Sequence, residues 1–376
     1  MGCRQKTRHG LGNCDFALRA GFSNPCTFNF QRAQMSQFRY PILNTRLQFA
    51  QAQADSVCFP VAWYHLIVTL GALILSSTLA LAQRVPFQVG NDNFTSEGLV
   101  KGMQASPAHC SQVTHAVWAR TEHHGEECIR YWMAGLEGSA KPSNVLVYIP
   151  GDQLVFDSPD ADYAKRSPAS MQLIAEGIYA RVKVPVVLLS RPGIFGSSGE
   201  HRLRREAGES RLMSAALDQI KARHAVANYS LVGLSGGGHI VAALLAWRDD
   251  ILCAVPTSSV SSPKLRWRLM GRTTDLTGST KSYEPVDMLQ SSSHFHPQLR
   301  VFVLGDPMDT SVPWSTQTPL ANRLKEMGVA TTVITGVGSD PQRHMLGASG
   351  QMVGSLCLRG VSTDEILRIA SVGLKG

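Results

Sequence analysis

The sequence predicts an α/β protein, a mostly parallel central sheet flanked by helices and entered through an antiparallel start. Three observations carry that prediction. From residue 144 onward, short runs rich in β-branched residues alternate with longer amphipathic stretches, the pattern of βαβ units. One such run, Ser230-Leu231-Val232, passes through Gly233-Leu234-Ser235-Gly236-Gly237 directly into an apolar helical stretch. The first two apolar runs are separated instead by a short charged segment, as in a hairpin.

Taken in order, Val113 to Ala119 and Cys128 to Ala134 are the antiparallel pair, with a charged turn over 121–127 between them. The buried strands follow: Asn144 to Ile149, Val184 to Leu189, Tyr229 to Leu234, Ile251 to Pro256, Arg300 to Leu304 and Ala330 to Ile334, each short and bounded by Gly, Pro or Ser. Ser167-Pro168 is an N-cap followed by proline at the first helical position, so a helix starts there. Further helices are expected over Arg204 to His224, Gly237 to Trp247 and Thr316 to Met327, the last stopped by Gly328. Residues 83–110 are polar and Gly/Asn-rich and read as an irregular lead-in, which leaves 111–376 as the main domain. Within it, Ser258 to Pro297 breaks the alternation. It is either a lid or substrate-binding insertion over the site, or an ordinary long surface connection.

At 376 residues, with 44% hydrophobic and 17% charged side chains, the chain has ample material for a packed core. The net charge of +8 is concentrated at the start: residues 1–55 carry seven Lys/Arg against Asp15 and Asp55. No Lys/Arg stripe interleaved with aromatics follows, so a nucleic-acid partner is excluded. Between Asp55 and Arg84 no charged side chain occurs, and Leu66 to Leu75 is apolar enough to enter a bilayer. With small residues Ala80 and Ala82 at the positions a signal peptidase reads, 56–82 is a signal peptide cleaved before Gln83. Its alternative is an uncleaved anchor attaching the protein to a membrane through 57–82. Both outcomes place the main domain outside the cytoplasm, in the periplasm or beyond. The extension 1–55 lacks periodicity and is expected to be disordered or to reflect a misplaced start, with Met35 or a later non-Met start in its place. Of eight cysteines, Cys110, Cys128, Cys253 and Cys357 follow the cleavage point. Two disulfides are therefore permitted, Cys110 with Cys128 first because they flank a hairpin-like segment; four free thiols are the alternative.

Gly233-Leu234-Ser235-Gly236-Gly237 matches Gly-x-Ser-x-Gly with a strand entering and a helix leaving, the context of a nucleophile elbow. Such a turn projects the serine Oγ from the sheet edge, and the helix N-terminus behind it aims its free N–H groups, that of Gly236 first, at a developing oxyanion. Serine alone is a weak nucleophile at neutral pH and needs a base and a group to orient it. Downstream, the strand 301–304 opens into a loop with two aspartates, Asp306 and Asp309, and the next strand opens into a loop that delivers His344. Asp306 has an alternative role as an Asx-turn shaping its loop. Other histidines have plainer readings: His239 packs or caps one turn into the helix, His123 and His124 fall in the charged turn, and His294 with His296 lack a third metal ligand. No metal or organic cofactor is called for.

Together the elbow, the acid loop and the late histidine resemble the α/β-hydrolase superfamily over about Ser111 to Gly376, and most closely its dienelactone hydrolase and prolyl oligopeptidase branch. The resemblance implies an α/β-hydrolase fold and a Ser235–Asp309–His344 triad, since Asp-x-x-Val-Pro at 309–313 is similar to the family's acid loop, with Asp306 the alternative acid. It also implies a second oxyanion donor from the loop after the first inner strand, where Pro150-Gly151 replaces the common His-Gly and the donor is the N–H of Asp152 or Gln153. Arg191, in the loop after the next strand, either faces a substrate carboxylate or forms a salt bridge within the loop. The implied activity is hydrolysis of a small ester through an acyl-enzyme. A serine peptidase acting on short peptides is the alternative within the same machinery, and a catalytically inactive binding module is the alternative outside it.

Overall fold

The structure, a computed structural model, describes residues 84–87, 94–136, 143–156, 158–290 and 293–373, all within one compact unit, Ser76–Gly376. The extension 1–55 and the apolar segment 56–82 lie outside the described residues. Among the described residues no helix is long and apolar enough to cross a membrane.

Eight strands form the central sheet: β1 (Ala116–Arg120), β2 (Glu126–Ala134), β3 (Ser143–Ile149), β4 (Val186–Leu189), β5 (Val226–Leu234), β6 (Ile251–Thr257), β7 (Arg300–Gly305) and β8 (Ala330–Thr335). Their spatial order is β1-β2-β4-β3-β5-β6-β7-β8. β2 runs antiparallel to both β1 and β4, and every pair from β4 to β8 is parallel. Because the inner parallel strands β3 to β7 are covered on both faces, their sequences are largely continuous apolar runs, as in the fully buried Val-Val-Leu-Leu of β4, whereas β8, expected to be buried, is an edge strand and only half-buried. The pleat sends Val145, Val147 and Ile149 of β3 to one core and Leu146 to the other.

Helices α2 (Ala207–His224), α3 (Gly236–Leu244) and α5 (Thr318–Glu326) close the first face, and α1 (Pro168–Val182), α6 (Gly347–Leu358) and α7 (Thr363–Gly373) close the other. A shorter helix, α4 (Pro263–Leu269), belongs to the insertion between β6 and β7. α1 begins as the sequence implies: Ser167 Oγ accepts from Ser170 N–H, and Ser170 Oγ accepts from Ser167 N–H in return. This strand order and connectivity is the α/β-hydrolase fold. The chain turns one way after β3, to β4, and the other way into β5, so a crevice is expected outside the carboxyl ends of these strands.

One further expectation is corrected. The described residues among 83–110 are not an irregular lead-in: Ser96–Lys101 and Pro107–Ser111 are helical, Thr95 and Ser106 cap them, and Phe94, Leu99 and Met103 are buried. Their apolar residues are too few and too scattered to show a period, yet Phe94 and Leu99 pack with Trp132, Leu188 and Phe195 in one core cluster. The α6 segment is a helix that its glycines disguise. A Cβ at Gly350 would stand 2.4 Å from Thr257 Oγ1 and one at Gly354 2.5 Å from Val232 Cγ2, so the small residues bring α6 down onto β5 and β6. Cys110 bonds to Cys128 and Cys253 to Cys357, the second pair tying β6 to α6.

Candidate active site

β5 ends in the elbow. Ser235 sits at φ 56°, ψ −115°, a conformation that costs a side-chain-bearing residue about 1–3 kcal/mol and persists only where its surroundings enforce it. They do so here through three backbone hydrogen bonds: the Ser235 N–H to Thr257 O at 2.9 Å, and the Ser235 carbonyl from His239 N–H at 3.1 Å and Val260 N–H at 3.3 Å. The two flanking glycines are required sterically. A Cβ at Gly233 would lie 2.2 Å from Gly237 O, and one at Gly237 2.2 Å from Ile149 O. Ser235 remains partly exposed at the carboxyl edge of the sheet, whereas Gly236–Leu244 is buried throughout.

The loops after β7 and β8 meet beside it. His344 Nδ1 lies 2.7 Å from Asp309 Oδ2, with the Asp309 side chain fully enclosed. Asp309 Oδ1 accepts from the Ser311 and Val312 N–H groups at 2.8 and 2.9 Å, which fixes the carboxylate plane. The histidine is held from its backbone as well, its N–H on Asp340 Oδ1 and its carbonyl on Ser258 Oγ, both at 2.7 Å. Ser258 immediately follows Thr257, whose carbonyl receives the Ser235 N–H, so the His344 loop is laced to the elbow through β6. Among the described residues Ser235 Oγ makes no hydrogen bond, and such contacts commonly tighten only when substrate is bound. Asp306 has different work. Its carboxylate accepts from Met308 N–H as an Asx-turn, from Gly338 N–H and from Arg343, which holds the two loops together. Burial opposes its ionisation, and those partners outweigh it and keep its pKa below the usual value.

The loop after β3 lies against the other side of the elbow. A Cβ on Gly236 would stand 2.0 Å from Asp152 Oδ1. As the first helical residue, Gly236 has no intrahelical acceptor for its N–H. Of the two N–H groups expected as a second donor, that of Gln153 is occupied by His201 Nε2 at 3.1 Å. The Asp152 carboxylate turns inward, onto Arg191 at 2.9 Å, Arg204 at 3.2 Å and Arg205. Burial would raise its pKa, but the three guanidinium groups hold it well below the ordinary carboxylate range. Burial and the same cations keep His201 neutral, which suits its role as an acceptor. Arg191 also pairs with Glu209, and Arg205 with Asp275 in the insertion, whose Oδ1 accepts from Trp267 Nε1–H at 3.1 Å. Arg191 is thus committed to salt bridges inside the protein.

His239 is buried with Nε2 3.0 Å from Tyr283 O, and burial lowers its pKa to about 4, consistent with a packing role. His123 and His124 are exposed in the β1–β2 turn. The guanidinium–carboxylate cluster is what sequence reasoning did not find: Asp152, Arg191, Arg204, Arg205, Glu209 and Asp275 come from four separate stretches, and no spacing links them.

No protein-family model matches the chain, and no curated protein matches it. Among solved structures it is similar to Est1E from Butyrivibrio proteoclasticus with ferulic acid bound, at 13% identity over 68% of this chain and 100% of that one, with a TM-score of 0.44. It is similar to a lipase/esterase from Lactobacillus plantarum at 15% identity over 67% and 98%, TM-score 0.43. Similarity to the acylaminoacyl peptidase of Pyrococcus horikoshii, at 14% identity and TM-score 0.43, covers 65% of this chain and 40% of that enzyme.

Proposed function

We propose that the chain is an exported serine hydrolase that cleaves carboxylic esters through an acyl-enzyme, with Ser235 as nucleophile, His344 as base and Asp309 as its orienting acid. The observation that carries this reading is the 2.7 Å contact between His344 Nδ1 and an enclosed Asp309, in a loop tied through Ser258 to the strand that anchors the positive-φ Ser235. Asp309 keeps the proton on Nδ1 and leaves Nε2 free to accept one. Ser235 Oγ then attacks the substrate carbonyl as His344 Nε2 takes its proton. The Gly236 and Asp152 N–H groups receive the oxyanion, and the clamp on Asp152 holds its donor in place before substrate arrives. The tetrahedral intermediate collapses, the alcohol leaves with the proton from His344, and a water activated by the same histidine releases the acid. The disulfides Cys110–Cys128 and Cys253–Cys357 support export, because such bonds persist in oxidising compartments.

A fluorophosphonate probe tests the reading. Labelling of the purified protein that disappears in Ser235→Ala and His344→Ala is the expected result, and a screen of short acyl esters against peptide amides then separates esterase from peptidase. A folded wild type that does not label makes the chain a binding module. The mass of the mature N-terminus shows whether Gln83 is the first residue.

A further inference from the structure

One cation at the site has no counter-ion. Arg266, on α4, is only 6% exposed. Its Nε and Nη2 both donate to a single backbone carbonyl, Ser311 O, at 3.0 and 2.8 Å, and among the described residues no carboxylate lies within salt-bridge distance. Among the described residues Nη1 makes no hydrogen bond, and it is not among the unpartnered atoms sealed inside the protein, so part of it is reached by solvent.

The neighbouring carboxylates are all committed. Asp309 is held by His344, Ser311 and Val312, Asp152 by three arginines, and Asp275 by Arg205, Trp267 and Thr277. Glu284, on the same insertion, accepts from the Lys264 N–H. Arg191, Arg204 and Arg205 are matched by Asp152, Glu209 and Asp275; Arg266 is the unmatched fourth. Its position relates to the reaction, because the carbonyl it grips belongs to Ser311, whose N–H binds the Asp309 carboxylate. Burial, and then the charge of Arg205, lower its pKa to about 10, which leaves it cationic at neutral pH. A buried guanidinium without a counter-ion is costly, and its planar fork matches a carboxylate.

We propose that Arg266 is the anion-recognition residue of this site, and that the substrate is an ester or amide bearing a free carboxylate that pairs with its Nη1. The inference rests on the serine-hydrolase reading and narrows it to a substrate class. The alternative, that Arg266 only braces the acid loop through Ser311, affects charged and neutral substrates alike, so the ratio of their rates decides.

The test compares kcat/KM for mono-4-nitrophenyl glutarate with that for 4-nitrophenyl pentanoate, and for 4-(pentanoyloxy)benzoate with phenyl pentanoate, placing the carboxylate on the acyl or the alcohol side. In the wild type the anionic member of one pair is expected to be favoured by about tenfold to a hundredfold, the range of a charge-assisted hydrogen bond. Arg266→Gln should bring that ratio near one, and Arg266→Lys should restore part of it. Should Arg266→Gln fail to fold, the wild type decides: glutarate should inhibit neutral-ester hydrolysis competitively and glutaramide should not. Equal rates within both wild-type pairs, a ratio unchanged in Arg266→Gln, or equal inhibition by both compounds overturns the proposal and leaves the serine-hydrolase reading standing. A wild type that neither labels at Ser235 nor turns over any of the four esters overturns both.

Discussion

Asp152 and Gly236 approach so closely that a methyl group on the glycine would stand 2.0 Å from Asp152 Oδ1 and 2.8 Å from Arg191 Nη1. Gly236→Ala therefore has to displace the Asp152 clamp, and with it the N–H proposed as the second oxyanion donor. We expect kcat to fall by about 10²–10³, the usual effect of losing one such donor, with a matching loss in the rate of fluorophosphonate labelling. An unchanged kcat would remove the 150–153 loop from the oxyanion hole.

The two aspartates after β7 should separate cleanly. Asp309→Asn leaves the shape of the loop but places the wrong tautomer on His344, and kcat should fall by about 10⁴. Asp306→Asn weakens the link to Arg343 and Gly338, so its main effect should be a lower melting temperature. Measuring kcat and thermal unfolding on both variants checks the assignment, and the reverse ranking would transfer the acid role to Asp306.

Asp275 is fully buried against Arg205. Replacing it with Asn leaves a buried guanidinium short of a partner, and urea denaturation at pH 7 should show a loss of about 3 kcal/mol. Burial raises the pKa of Asp275 and Arg205 more than offsets this, to about 2, below the unfolded value of 3.8. Its contribution is therefore present above the unfolded pKa and disappears as pH falls through about 2. The gap between variant and wild type should close over that window.

Glu284 has the opposite sign. Burial raises its pKa to about 7, above the unfolded value of 4.5. The folded state holds the proton more tightly, so the stabilisation is complete below the unfolded pKa and is lost as pH rises through about 7. Glu284→Gln should melt at a higher temperature than the wild type at pH 8 and close to it at pH 4.5. A Glu284→Gln difference that does not change with pH would contradict the assignment.

Cys253–Cys357 spans 104 residues and Cys110–Cys128 spans 18. By chain entropy the longer loop is worth about 5 kcal/mol and the shorter about 3 kcal/mol. Removing the first pair by double Ala substitution should lower the denaturation midpoint more than removing the second.

What could be read from the chain follows from how it is buried. Strands β3 to β7 are covered on both faces, so their apolar runs are continuous and visible, and the order of elbow, aspartate loop and histidine loop already placed Ser235, Asp309 and His344 after the carboxyl ends of β5, β7 and β8. Helix α6 was hidden because Gly350 and Gly354, which weaken a helical reading, are there to fit against Thr257 and Val232. The segment around Phe94 and Leu99 was hidden because it contributes single side chains to a core built by other elements. The clamp around Asp152 and the lone charge of Arg266 depend on which distant residues meet, and neither leaves a periodic trace. The insertion at 258–297 could be sensed as a departure from alternation, but its attachment through Arg205 and Asp275 could not.

That attachment bears on how a substrate gets in. The Arg205 guanidinium reaches Asp152 on one side and Asp275 on the other, joining the loop after β3 to the segment after β6. Raising that segment would strand charge in the interior, so substrate is expected to enter while it stays seated. Selection then rests on the width and charge of a fixed threshold, and turnover need not wait for a hinge to swing.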